Sequence, residues 1–205
     1  MISTKLVSLG LTYLSHTGIV DMAQPLLNSL AEVSGELVRL SVVDGDRLTW
    51  VARAQGARQG LRYDPDMGSD ARLSCSSSGW AWLSTLQDDE ALALVARQGL
   101  GLPEQFGPAA PTSLQAVMGE VQATRERGYS ITTDTYTVGL SAMSAPVRFS
   151  GQAAFGVVAI AGPSVRFNPV RMEELAPVLL STAQQLAALS GASPFFQLTS
   201  EAARA

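Results

Sequence analysis

The chain has 205 residues of which 46% are hydrophobic, enough for one well-filled core and short of two full domains. Its net charge is −4, and its cations, 13 arginines with the single lysine Lys5, are strewn singly instead of massed on one face, a poor footprint for phosphate-backbone binding. One cysteine, Cys75, excludes an internal disulfide framework, one histidine, His16, leaves a His/Cys metal site without ligands, and no apolar run approaches the roughly 18 residues of a membrane span. The expectation is a cytoplasmic protein with no metal, no cofactor and no membrane contact, and without a basic, apolar leader segment.

Leu6, Leu9, Tyr13 and Leu14 stand at helical spacing and predict an amphipathic helix over 3–16. A second helix is signalled by Asp21 and Gln24 as a capping box, with Pro25 in its first turn and Gly35 as its stop. The period then changes to two over 37–43 and 48–52 around Asp44-Gly45, an antiparallel hairpin. Residues 60–64 read as a further short strand and 65–72 as a loop. After a serine-rich turn at 74–78, short helices are predicted over 79–83 and 88–97, followed by an irregular Gly/Pro stretch. Thr112 and Gln115 form another capping box for a helix that Gly128 ends. A β-rich 129–133 precedes a second hairpin, 141–149 with 153–161, around Ser150-Gly151. Asn168-Pro169 then opens a last helix to Gly191, which Pro177 should kink or split. Tight hairpins interspersed with amphipathic helices make this an α+β fold with an antiparallel sheet.

Catalytic apparatus is not visible. A serine or cysteine nucleophile needs an adjacent base, and His16, at the end of the opening helix, is the sole imidazole. Asp88, Asp89 and Glu90 suit the N-terminus of a helix better than a carboxylate pair. Ser74-Cys75-Ser76-Ser77-Ser78-Gly79 is the most unusual local sequence, and it reads either as a capping turn or as a cluster of amides and hydroxyls facing a ligand. Cys75 has no neighbouring cation to activate it and reads as a small buried side chain. Of Trp80 and Trp82, at least one is expected in the core, leaving the other as a candidate pocket wall.

Four strings in order, Leu30 to Gly45 (LAEVSGELVRLSVVDG), Arg125 to Ile131 (RERGYSI), Ala145-Pro146-Val147 and Val157 to Pro163 (VVAIAGP), resemble the effector-binding domain of IclR-type transcription regulators. The resemblance covers residues 3–191 and implies a GAF-like antiparallel sheet with flanking helices. It also implies a division into an N-terminal linker helix (1–17), an effector-binding domain (18–191) and a C-terminal tail (192–205) expected to be flexible. The family's winged helix-turn-helix domain is expected to be missing from this chain, either because the chain starts at the linker or because it is a stand-alone sensor. DNA would be reached only through that domain. The expected partners are a small-molecule effector and further copies of the chain in a homodimer or homotetramer.

In this family the ligand lies in a cup between the sheet, the loop matching 60–79 and the late strands. That places Ser77 and Ser78 as polar contacts, Tyr63, Ala71 and Leu73 along one wall, and Thr132, Ala142, Ala159 and Ala161 at four positions where relatives that sense small oxoacids carry polar groups. The family's frequent lysine after the helix glycine is Trp80 here, and of its acidic pair before Gly139 only Asp134 remains. One hydroxyl and three methyls suit a more apolar or aromatic effector than a small oxoacid. The competing expectations are an interaction or oligomerisation module without ligand and, more remotely, a hydrolase at Ser74–Ser78. The chain is read as a binding domain and not an enzyme.

Overall fold

The computed structural model describes residues 19–190 apart from 66 and 102–104, so the expected linker helix, His16 and the C-terminal tail lie outside the described residues. Hairpin β1 (Leu37–Asp44) and β2 (Arg47–Gln55) lies beside hairpin β4 (Leu140–Val147) and β5 (Gly156–Pro163), and β3 (Ser130–Thr133) flanks β4. The order is β2-β1-β5-β4-β3 with every neighbour antiparallel. Helices α1 (Ile19–Ser34) and α5 (Pro169–Ser190) cover one face; α2 (Ser77–Leu83), α3 (Asp88–Gln98) and α4 (Leu114–Arg127) lie on the other. The described residues thus form an α+β fold.

Strand side chains alternate between faces, and the alternation divides the core. Val38, Leu40, Met143, Val158 and Ile160 point at the α1/α5 layer and meet Leu27, Leu30, Leu175 and Leu179. The opposite face holds two clusters, one around Trp50, Leu73, Trp80, Trp82, Val121 and Val157, and a small one of Leu140, Ala142 and Ala161. A bulge in the first hairpin sets what the second face displays. Leu40 pairs with Ala52 but Ser41 pairs with Trp50, so Val51 is the extra residue and the indole is brought across from Ser41.

Several expectations are corrected. Helix α1 already includes Ile19, which puts Asp21 inside it and Pro25 beyond the first turn. The Gln24 amide is used across the fold, donating to the Arg53 carbonyl and to Asn28 Oδ1, and is not available for a capping box. Pro25 and Pro177 are both exposed, so the carbonyls that lose a partner face water, and α5 continues unbroken through Pro177. Residues 60–64 form no strand. The outer edge of β2 is instead joined by the following loop, through Ala71 N to Leu48 O at 2.7 Å and Trp50 N to Ser69 O at 3.3 Å. The cap of α4 is Ser113 and not Thr112: Ser113 Oγ accepts from Ala116 N at 3.1 Å. Ser77 and Ser78 belong to α2 and not to the turn before it.

Candidate functional site

Cross-strand registers build a hollow on the sheet face opposite α1 and α5. Directly opposed residues share a face, so one row runs Arg39, Ala159, Ser144, Ser130 and the next runs Leu37, Ala161, Ala142, Thr132. Three alanines occupy the middle of these rows. Their methyl groups leave unfilled space where larger side chains would meet α2, and hydroxyls and a guanidinium stand around it. The resulting cleft measures about 380 Å3 including its mouth and is lined by Arg39, Trp50, Ser76–Ser78, Thr132, Tyr136, Leu140, Ala142, Ala159 and Ala161.

The serine segment is held by its own hydrogen bonds. Ser76 Oγ accepts from Gly79 N at 3.0 Å and donates to Arg72 O, capping α2. Ser77 and Ser144 share a hydroxyl hydrogen bond of 2.8 Å, with Ser78 at 3.5 Å from the same oxygen. Ser130 Oγ donates to the Ser77 carbonyl at 2.6 Å, and Thr135 Oγ1 to that of Cys75 at 2.6 Å. Thr132 Oγ1 donates to Ala142 O at 3.3 Å. These bonds tie α2 to β3 and β4 and fix the roof of the cleft. Gly79 permits the close approach, since a Cβ there would meet the Leu73 backbone at 2.6 Å.

The electrostatic feature of the cleft is Arg39. It is 6% exposed, and its guanidinium lies over the Trp50 ring, 3.9 Å from the centroid, with the Tyr63 ring at 5.7 Å. Arg39 Nε and Trp50 Nε1 are both buried without a hydrogen-bond partner. Burial lowers the Arg39 pKa, partly offset by the Tyr63 and Tyr136 phenols beside it. The same burial raises both tyrosines, while the Arg39 charge pulls them back down. No counter-ion stands beside it among the described residues; burying such a cation costs several kcal/mol, of which stacking on an indole returns about 2 kcal/mol. Burial also pushes the Cys75 thiol up to about 11, so it stays a neutral thiol at neutral pH.

Of the sequence-predicted site residues, Ser77, Ser78, Thr132, Ala142, Ala159 and Ala161 are brought together around the cleft. Tyr63 packs on the Leu140/Ala142/Ala161 cluster and against Arg39. Ala71 and Leu73 are fully buried behind the cleft with Trp80 and do not line it. Trp80 and Trp82 are both core, the first donating to Ser74 O at 3.1 Å. Sequence reasoning missed Arg39, Trp50, Tyr136 and Leu140. A signal for Arg39 existed, an arginine on the Leu37/Ser41 side of an otherwise apolar strand, but the residue opposite it was not readable. Among the described residues no three His, Cys, Asp or Glu side chains are grouped to hold a metal ion, and no helix is long and apolar enough to cross a membrane.

A second hollow of about 330 Å3, lined by Met22, Ala23, Leu40, Val147, Phe155 and Leu186 among others, lies beside α1 and α5. Its wall is almost wholly apolar and offers no charge to orient a ligand.

Comparison with known proteins places this geometry. Residues 11–188 match the family described as "Bacterial transcriptional regulator IclR C-terminal". The chain belongs to this family. The family is one of transcription regulators, not enzymes. Among relatives, the chain is 26% identical over 178 residues to the HTH-type transcriptional regulator BhcR of Paracoccus denitrificans, covering 86% of this chain and 62% of BhcR. It therefore spans less than two thirds of that IclR-family regulator. The same fold is found in the IclR of Thermotoga maritima (TM-score 0.79, 22% identity, 91% of this chain and 74% of that one). It also recurs in a double mutant of the PobR inducer-binding domain of Acinetobacter, solved with 3-hydroxybenzoic acid (TM-score 0.71, 22% identity, 82% and 97%).

Proposed function

We propose that the chain is the effector-sensing part of a cytoplasmic transcription regulator and that the alanine-floored cleft under α2 is its effector site. DNA contact belongs to a separate winged helix-turn-helix domain, in keeping with the scattered arginines and net charge of −4 here. Effector binding alters the arrangement of subunits in a dimer or tetramer, which requires a ligand that prefers one arrangement over the other. The observation that carries the reading is the patch of Ala142, Ala161 and Ala159, from two neighbouring cross-strand rows, under a roof pinned by Ser77 and Ser144. Its methyl floor suits an effector more apolar or aromatic than a small oxoacid. The PobR domain with its bound aromatic acid has the same fold and is in keeping with this class.

A thermal-shift panel of aromatic and aliphatic acids, their amides, glyoxylate and pyruvate tests the reading. A ligand present at 100 times its Kd stabilises by about 2.7 kcal/mol, or about 5–10 °C for a domain of this size. Stabilisation by members with a ring or long chain is expected. Stabilisation by glyoxylate or pyruvate alone overturns the apolar effector, and none by any compound overturns the sensing role in favour of an oligomerisation module.

A further inference from the structure

Building on the effector-site reading, we propose that Arg39 and Trp50 form an anion-holding corner of the cleft and that the effector is a monocarboxylic acid. Its carboxylate lies on these two donors and its apolar body extends over Ala159, Ala161 and Ala142.

Three observations converge. First, the only buried charged side chains among the described residues are Glu36 and Arg39. Glu36 is held in a two-bond pair by Arg166, at 2.5 and 2.9 Å, whereas among the described residues no carboxylate lies within ion-pair distance of Arg39. Arg39's cross-strand neighbour is Arg53, a like charge already paired with Asp64. Second, two donors at this end of the cleft are unsatisfied. Arg39 Nε and Trp50 Nε1 donate to nothing, and neither group can accept. The hydroxyls of Ser76, Ser77 and Thr132 are already bonded within the protein. A water would satisfy one donor but leave the charge; a carboxylate supplies two acceptor oxygens and one negative charge together. Third, the charge count limits the ligand. One unpaired cation balances one carboxylate, whereas a phosphate or dicarboxylate would bring a second negative charge onto the methyl floor.

The decisive comparison is between acids and their own amides, which keep shape and lose charge. Isothermal titration of the whole chain with benzoate, phenylacetate and hexanoate, each beside its amide, is expected to give at least one acid about 10- to 100-fold tighter than its amide. Arg39→Met is expected to bring that acid and amide to similar affinity. Trp50→Phe, which keeps a ring and removes the N–H, weakens the acid about 10-fold. Arg39→Lys keeps the charge and retains part of the preference, so it decides the matter even where Arg39→Met folds poorly. Amides binding as tightly as acids overturn the anion corner and leave the effector site standing; binding by neither class overturns both. An acid preference that persists in Arg39→Met also overturns the assignment.

Discussion

Arg39→Met should make the ligand-free protein more stable while removing its preference for acids. The wild-type guanidinium is 94% covered, has no carboxylate partner among the described residues, and rests 3.9 Å above the Trp50 ring. The substitution forfeits the cation–π contact, about 2 kcal/mol, and the Tyr63 hydrogen bond, and removes the several kcal/mol of desolvation. Methionine's unbranched chain retains most of the contact of the arginine stem with Trp50 and Tyr63. The net is a gain of about 1–2 kcal/mol, or about 2–8 °C in Tm for a domain of this length. Urea unfolding at pH 7, with unchanged m-value as the check on the native state, measures it. A loss of more than about 1 kcal/mol would refute the reasoning, because the guanidinium would then be a structural strut and not a binding group held at a cost to stability.

Three further outcomes follow from the geometry. Gly79→Ala drives a methyl into the Leu73 backbone at 2.6–2.8 Å, and should cost about 1–3 kcal/mol and abolish ligand-induced thermal shifts by moving α2; an unchanged Tm contradicts the close approach. Ser144→Ala leaves the buried Ser77 hydroxyl without its 2.8 Å partner and should cost about 1–3 kcal/mol, part of which Ser77→Ala recovers in a double-mutant cycle measured in urea. Cys75 keeps its proton to about pH 11 when folded, against an ordinary value of 9.0. The unfolded chain therefore releases that proton first, and stability falls as pH rises from about 9 towards 11. Cys75→Ala should flatten that decline relative to wild type in pH-dependent urea titrations, and a thiol reagent at pH 8 should leave the folded protein unmodified.

Much of the fold is legible in local chemistry. The two-residue alternation on either side of Asp44-Gly45 and Ser150-Gly151 yields both hairpins, and Gly35 and Gly128 stop α1 and α4 where expected. Most misreadings come from tertiary contacts that compete for a backbone edge or a side chain. Gln24 reaches the Arg53 carbonyl, and the β2 edge takes residues 69–71 instead of 60–64; the α4 cap moves by one residue for a local reason, Ser113 accepting from Ala116 N.

The site divides in the same way. The sequence by itself determined the element order, the alternation that sorts alanines and serines onto one sheet face, and the family resemblance, because each depends on neighbours near in the chain or on period. Only the tertiary structure decided that the first hairpin lies beside the second through β1 and β5, and that a bulge turns Trp50 onto Arg39. It also decided that Ser77 and Ser78 spend hydrogen-bonding capacity on Ser144, 67 and 66 residues away, while Arg39 is buried with no described carboxylate at hand. Whether a charge is paired depends on what the fold brings opposite it, and no local pattern in the chain encodes that partner.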